Sequence, residues 1–503
     1  MSLAFDKTLP AQLRSIASRF PDNVALLEKS DNVSYLQLEE LIDRAGSYLK
    51  STGVTTGDRV AIVMDNSIDY VVAFYAIWKV GGIVVALNPL SKLHEIEKLL
   101  TQSGASCLIL DKASLEDISK LKALDIRIIT RTKQEDESIT CWQSVVEHES
   151  DGLWFDAKGE DLAQIIYTSG TTGNPKGVLL SHANLMSNMV DIIDYLALTE
   201  NDAVLNVLPF HYCYGNSVLH THLCVGGKVI FAGSMAFPQE IVNNMHEFKA
   251  TGFSGVPSTY TLFLTRSDWP QNPPPLRYVT QAGGPMGKPL TEKLVAACNQ
   301  NTQLFVMYGQ TEASARLTYL PPKMLNKKLG SAGIPLNNVC LEIRDEQGNK
   351  LPAGEQGEVY VSGPSIMQGY WQNSAASDQV LIKGWLKTGD LGYLDDDGFL
   401  FLIGRNSDMI KVGAHRINPM ELEEVINKLP QIQESAVIGI EDEILGQKLR
   451  AFIVGEESKE NLFALKKHCN EYLPPHKMPR EFVWVAALPK TASGKIKRFE
   501  LNR

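Results

Sequence analysis

The apolar positions along this chain change period repeatedly, and each change marks the edge of an element. Over residues 13–20 they recur at helical spacing, Pro21-Asp22 stops the helix, and 24–27 reads as a strand. Residues 34–49 carry Leu36, Leu38, Leu41, Ile42 and Leu49 on one side of an amphipathic helix. After Gly57-Asp58, residues 60–64 form a short unbroken apolar run, as expected of a strand covered on both faces. Helix, strand, helix and strand then alternate over 68–78, 83–87, 94–102 and 107–110, which predicts an α/β fold with a parallel sheet.

The pattern continues less regularly. Strands are predicted at 163–168 and 177–180, a helix at 181–196, strands at 204–208 and 228–231, and a helix at 240–248. Four prolines in 270–275 mark an exposed link, and 278–280 and 305–309 read as further strands. Beyond residue 330 short strands such as 339–344 and 357–361 alternate with turns and predict a small β unit. The last hundred residues change again, with helices at 419–428 and 460–472 and strands at 435–439, 449–454 and 482–485. From Gly404 onward, 16 basic residues face 14 acidic ones, whereas the whole chain carries −10, so this tail is expected to be a separate, mobile α+β domain.

At 503 residues the chain is long enough for several compact units. The net charge of −10 argues against a protein whose main surface follows a nucleic-acid backbone. Seven cysteines are scattered without a Cys-x-x-Cys pair, and residues 1–15 show no basic stretch leading into an apolar one, so the expected location is cytoplasmic. The most apolar region, 70–90, is broken by Lys79 and Gly81-Gly82, and reads as a helix and strand of a core rather than a membrane span.

Candidate chemistry centres on Tyr167-Thr168-Ser169-Gly170-Thr171-Thr172-Gly173-Asn174-Pro175-Lys176-Gly177, which joins two predicted strands. Its glycines allow positive φ and close backbone approach, its hydroxyls donate hydrogen bonds, and Lys176 adds a positive charge. That combination suits a polyphosphate. A P-loop would end in Gly-Lys-Ser/Thr and open a helix, whereas Lys176 follows proline and precedes Val178-Leu179-Leu180, so that class is excluded.

Five further stretches place functional side chains at strand ends or turns. Tyr308-Gly309-Gln310-Thr311-Glu312 offers a hydroxyl and a carboxylate able to hold Mg²⁺. Thr388-Gly389-Asp390 and Gly404-Arg405 offer partners for sugar hydroxyls, and Pro209-Phe210-His211-Tyr212-Cys213-Tyr214 is an aromatic run suited to an organic substrate. Pro489 to Lys495 forms a basic turn near the end. Taken singly, each has a plainer explanation: Glu312 as an exposed acid, Asp390 as a turn residue, His211 as a core histidine, Lys495 as part of a solvated tail. His220-x-His222 lacks a third ligand at useful spacing, so no zinc site is predicted.

Together and in this order, the stretches resemble the adenylate-forming superfamily of acyl-CoA synthetases, luciferases and peptide-synthetase adenylation domains. The resemblance implies a large N-terminal domain (1–403) of two α/β subdomains plus a small β barrel, a hinge (404–408), and a small mobile C-terminal domain (409–503). It implies an enzyme that activates a carboxylic acid with ATP and Mg²⁺ to an acyl-adenylate, releases pyrophosphate, and forms a thioester. The acceptor is CoA or, as an alternative, the phosphopantetheine of an acyl carrier protein; a non-catalytic nucleotide-binding protein is the alternative of another class.

By matching position, Thr168, Ser169, Gly170, Thr171, Thr172, Gly173 and Lys176 would hold the leaving phosphates, Thr311 the α-phosphate, and Glu312, with Thr168, the Mg²⁺. Gly283, Gly284, Pro285, Tyr308 and Gly309 would border the adenine, and Asp390 and Arg405 the ribose. Lys495 would meet the charge that builds on the carboxylate and α-phosphate oxygens. His211, Tyr212, Tyr214 and Val256 would line the acid site, and Lys411, Gly413 and Ala414 the thiol tunnel. Two positions depart from the family pattern: the hinge aspartate is Ser407, followed by Asp408, and a usual glycine is Ala414. Adenylation domains for amino acids carry an aspartate where this chain has Phe210-His211, so a plain carboxylic acid is expected.

Overall fold

A computed structural model describes residues 5, 7–29, 31–111, 115–136, 138–168, 175–231, 233–405, 408–412, 415–442, 446–490 and 496–501. Two large sheets organise the first 400 residues. In the first, the strands run in the order Ile334–Pro335, Thr318–Leu320, Gln303–Tyr308, Tyr278–Gln281, Gly252–Gly255, Ala203–Asn206, Lys228–Phe231, Val24–Glu28 and Asp31–Ser34. From Gln303–Tyr308 to Val24–Glu28 the pairings are parallel, and antiparallel strands close both edges. In the second, Leu162–Thr168, Ile83–Ala86, Arg59–Val63, Cys107–Leu110, Arg127–Thr130 and Thr140–Cys141 are parallel neighbours, with Lys176–Ser181 and Gly369–Tyr370 added antiparallel.

Period-two burial explains how the sheets stack. Val60, Ile62 and Val84 of one sheet, and Leu26, Val204 and Val229 of the other, enter a single central core with the helices Leu9–Arg19, Tyr35–Ser51, Ile68–Lys79, His182–Leu196 and Cys213–Val225. Their strand neighbours Ala61, Val63 and Val85, and Leu205 and Ile230, turn outward into two separate cores beneath outer helices. The expected phosphate loop does join two strands, in the register Thr168↔Lys176. Local sequence sets the helix starts: Ser34 with Gln37 and Ser181 with Asn184 each close a capping box.

Lys79, which interrupts the apolar stretch, is buried at a helix end and satisfied by Asp43 at 2.9 Å, Asp151 at 2.8 Å and Ser47 at 2.7 Å. Among the described residues, no helix is long and apolar enough to cross a membrane. The expected strand at 204–208 ends at Asn206, whose side-chain amide folds back to donate to the Leu208 carbonyl at 2.7 Å. Sequence reading also missed the helix Cys213–Val225. Residues 214–225 are all buried, so it presents no polar stripe from which a helical period can be read.

The small β unit is a five-stranded antiparallel sheet. Its order is Cys340–Arg344, Gly357–Ser362, Trp385–Leu394 and Leu381–Ile382, with Leu400–Arg405 also pairing Trp385–Leu394. Among the described residues its first and last strands do not pair, so the expected barrel is not closed. The tail holds Ile432–Asp442, Gly446–Gly455 and Glu481–Val485 as one sheet, flanked by helices Pro419–Ile426 and Lys459–Tyr472 and a short hairpin at Ile410–Val412 and His415–Ile417. Its apolar clusters draw only on residues from Ile410 onward, and those of the larger part only on residues up to Leu402.

Candidate active site

Those expected site residues of the larger part that the structure describes gather where the parallel strands of both sheets end, the position at which open α/β sheets take their ligands. Lys176 begins the strand that follows the candidate phosphate loop, and its Nζ lies 4.9 Å from the centre of the Tyr370 ring. Tyr370 is placed there by the two-residue strand Gly369–Tyr370, which pairs Tyr370 with Val178. The Tyr370 hydroxyl donates to Oε1 of Glu312 at 2.9 Å. One aromatic side chain therefore links the loop cation to the candidate metal-holding acid. Burial, and then the charge of Glu312, raise the pKa of Tyr370, which keeps it a donor at neutral pH. Ser169, Gly170, Thr171, Thr172 and Gly173 lie outside the described residues.

Thr311 and Glu312 sit on the 3-10 turn Thr311–Ala313 directly after the strand Gln303–Tyr308. The turn is tight. A Cβ at Gly309 would stand 1.9 Å from the carbonyl oxygen of Ala315, so no larger residue fits. Met367 N–H donates to the Glu312 carbonyl at 2.9 Å, and the Thr311 hydroxyl to Cys213 Sγ at 3.4 Å. The side-chain Nε2 of Gln310 is buried without a hydrogen-bond partner among the described residues. Such an orphan donor beside a cleft is a place where a ligand acceptor would be stabilised.

Tyr308 and Asp390 connect the large sheet to the β unit. The Tyr308 hydroxyl donates to Oδ2 of Asp390 at 2.6 Å, and Arg405 Nε donates to Oδ1 at 3.1 Å. Asp390 and Arg405 face each other across adjacent strands. The Arg405 pKa is raised, first by the charge of Asp390. Each carboxylate oxygen keeps a free lone pair and can accept from a sugar hydroxyl as well.

Gly283, at φ 83°, and Gly284 follow the strand Tyr278–Gln281, and Gln281 Nε2 donates to the Gly284 carbonyl at 2.7 Å. Gly283 and Pro285 are exposed. A Cβ on Gly283 would lie 3.1 Å from Val256 Cγ1, so the glycine lets these two edges of the cleft approach. His211 is buried against Tyr212 with ring centres 4.3 Å apart, its Nε2 has no partner among the described residues, and burial lowers its pKa to about 4. Tyr214 is buried, and its hydroxyl pairs with Thr280 Oγ1 at 2.9 Å.

The structure does not bring every expected residue here. Lys411 is exposed in the tail, with its backbone N–H donating to Gln447 at 2.9 Å. Gly413, Ala414, Ser407 and Lys495 lie outside the described residues. The described residues beside Lys495 are well anchored: Lys490 and Ile496 form a bridge, and Arg498 donates to the buried Glu423 at 2.5 and 2.9 Å. One contributor was missed in the sequence, Tyr370, which no spacing or composition signal marks; Cys213 was read within the aromatic run but given no role of its own. His220 and His222 are core residues, bonded to Tyr75 at 2.9 Å and to Tyr278 at 2.7 Å.

Among the described residues no three His, Cys, Asp or Glu converge as a metal cluster. A single held carboxylate suits Mg²⁺ that arrives with a polyphosphate, since that ion keeps waters and phosphate oxygens and takes only one or two carboxylates.

Family models for the AMP-binding enzyme and for the AMP-binding enzyme C-terminal domain match residues 13–371 and 421–495. The chain is 32% identical over 496 residues to a 2-succinylbenzoate–CoA ligase of Bacillus licheniformis, covering 98% of this chain and 99% of that protein. Its structure is similar to that of an o-succinylbenzoate CoA synthetase from Bacillus subtilis in complex with an acyl-adenylate intermediate, with a TM-score of 0.88, 29% identity, and coverage of 100% and 99%. The same Bacillus subtilis enzyme in complex with ATP and magnesium ion matches with a TM-score of 0.87, 29% identity, and coverage of 98% and 99%.

Proposed function

The chain belongs to the AMP-binding enzyme family, and on that premise we propose that it is an AMP-forming acid–thiol ligase whose adenylating centre is the cluster around Glu312. The enzyme activates a carboxylic acid with ATP, releases pyrophosphate, and passes the acyl group from the adenylate to the thiol of CoA. The observation that carries the assignment of the centre is the link from Lys176 through Tyr370 to Glu312, which sets a cation and a carboxylate beside the end of the phosphate loop.

In this reading Lys176, Thr168 and the hydroxyls of Ser169, Thr171 and Thr172 take the leaving phosphates, and Thr311 the α-phosphate. Glu312 would hold Mg²⁺, which supplies positive charge against the triphosphate. Gly283, Gly284, Pro285 and Gly309 admit the adenine, while Asp390 and Arg405 bind the ribose. Lys495 is assigned to the charge that develops at the attacking carboxylate, where a preorganised cation contributes about 3 kcal/mol or more. The buried neutral imidazole of His211 offers no negative charge to pair with an ammonium group, which favours an acid without an α-amino group.

The separate apolar clusters support domain limits at 1–403 and 409–503 with a hinge at 404–408. CoA is favoured as acceptor over a carrier protein, since the relatives named above are CoA ligases. Seven cysteines, none of them in a disulfide, fit a reduced, cytoplasmic setting. The test is pyrophosphate release from Mg-ATP across acetate, fatty acids, benzoates, 2-succinylbenzoate and amino acids, each with and without CoA. Acid-dependent release that rises with CoA is the expected outcome; release of ADP, or none with any acid, would contradict the reading.

A further inference from the structure

The loop that carries His211 leaves the first sheet at Asn206, where the strand Ala203–Asn206 ends, and it passes through Pro209, which has no N–H to give. The Leu208 carbonyl and the Phe210 N–H on either side of that proline therefore need partners from outside the strand ladder, because buried backbone groups left unpaired are costly. One side chain serves both. Asn66 Nδ2 donates to the Leu208 carbonyl at 2.8 Å, and Oδ1 of the same amide accepts from the Phe210 N–H at 2.9 Å. Only one orientation of the amide satisfies this pair, since one partner is a carbonyl and the other an N–H. The contact joins the two sheets: Asn66 follows the strand Arg59–Val63 of the second, whereas the loop belongs to the first.

Asn66 is itself a fixed post. On either side of it the Asp65 N–H donates to Asp111 Oδ2 at 2.7 Å and the Ile68 N–H to Glu28 Oε2 at 2.9 Å. Ser67 caps the helix Ile68–Lys79 by accepting from the Tyr70 N–H at 3.1 Å. The same helix seats the apolar side of the loop, with the Phe210 ring 5.6 Å from that of Tyr70 and 5.8 Å from that of Phe231. At its far end the loop meets the adenylating turn. Cys213, two residues beyond His211, accepts from the Thr311 hydroxyl at 3.4 Å. Gly215 allows the following helix to close on the loop, since a Cβ there would stand 2.3 Å from the Pro209 carbonyl oxygen.

We propose that Asn66 is a positioning residue for the acid: by holding the Leu208 carbonyl and the Phe210 N–H it sets where the His211 imidazole stands relative to Thr311, and so how the carboxylate is presented to ATP. The inference rests on the ligase reading given above. Asn66 acts through the loop rather than on the substrate. Without its amide the Leu208 carbonyl keeps Asn206 at 2.7 Å, whereas the Phe210 N–H, next to His211, loses its hydrogen bond. The loop then shifts at His211, and a misplacement of the acid by about 1 Å costs about a hundredfold in rate.

The test measures pyrophosphate release by the full chain with CoA for the wild type, Asn66→Ala and Asn299→Ala, varying ATP and, separately, the acid of the panel above that the wild type turns over fastest. Asn299 is the control for stability alone: it donates to the carbonyls of Pro273 and Pro274 at 3.3 and 2.7 Å, and it precedes the strand Gln303–Tyr308 at the end away from the site. Asn66→Ala is expected to lower kcat/KM for the acid about a hundredfold with the KM of ATP unchanged. Asn299→Ala should leave both unchanged even where its melting temperature falls as far. Should Asn66→Ala fail to fold, Asn66→Ser, which is shorter and keeps at most one of the two bonds, should show the same split. An equal rise in both KM values, or an unchanged kcat/KM for the acid, would overturn the positioning role while leaving the ligase reading intact; silence of the wild type with every acid would overturn both.

Discussion

The hydroxyl of Tyr308, at the end of a central strand of the larger sheet, donates to Oδ2 of Asp390 in the β unit at 2.6 Å. The bond fixes a carboxylate from one unit over the strand ends of another, and Arg405 completes its orientation at 3.1 Å. Tyr308→Phe removes a hydrogen bond to a charged group, worth about 1.5–3 kcal/mol. The KM for ATP is expected to rise about tenfold while that for CoA stays unchanged, in steady-state kinetics. Equal changes in both would argue against a nucleotide role for Asp390.

Lys495→Ala separates the two half-reactions. Loss of one preorganised cation should lower the rate of adenylate formation about a hundredfold or more, whereas thioester formation from supplied acyl-adenylate should survive. Single-turnover measurements of each half check this. Equal loss of both would contradict a role confined to adenylation.

The end of the chain beside Lys495 depends on Arg498, which is bonded to buried Glu423 and to the Val437 carbonyl. Arg498→Ala leaves that carboxylate buried and unpaired, at a cost of about 3–5 kcal/mol. The tail domain should then melt below the rest of the protein, seen as an added early transition by calorimetry and early proteolysis after residue 403. An unchanged single transition would show that the pair contributes little.

Four histidines, His182, His211, His220 and His222, are buried with pKa values lowered by desolvation to about 4, 4, 3 and 4. The unfolded chain therefore binds more protons than the folded one between roughly pH 6.5 and 4, and stability present above pH 6.5 is lost as pH falls through that window. Each contributes on the order of 1–2 kcal/mol by pH 5. The melting temperature should fall between pH 7 and pH 5, by less in His211→Phe; a flat profile would contradict neutral burial.

The candidate site residues that the sequence offered are those whose chemistry is local. The loop before Lys176 and the Thr311-Glu312 turn are runs of glycine, hydroxyl and acid at strand ends, while Glu312 and Asp390 taken singly read as plain polar residues and were marked only by the order of the stretches and the family resemblance; Asp390 lies within the strand Trp385–Leu394 rather than in a turn. Tyr370 was hidden because its role comes from a two-residue strand pairing with Lys176–Ser181, a contact between distant parts of the chain. The helix Cys213–Val225 escaped because uniform burial removes the amphipathic period, and the small β barrel expected from resemblance corresponds, among the described residues, to a five-stranded sheet whose first and last strands are not seen to pair.

The central claim is that a carboxylate oxygen attacks the α-phosphorus of ATP, and isotope transfer reports that bond directly. With the accepted acid labelled with ¹⁸O in its carboxylate, one labelled oxygen should appear in AMP after CoA-dependent turnover, with pyrophosphate unlabelled. Label in inorganic phosphate, or AMP without label, would contradict an acyl-adenylate and with it the function proposed for this chain.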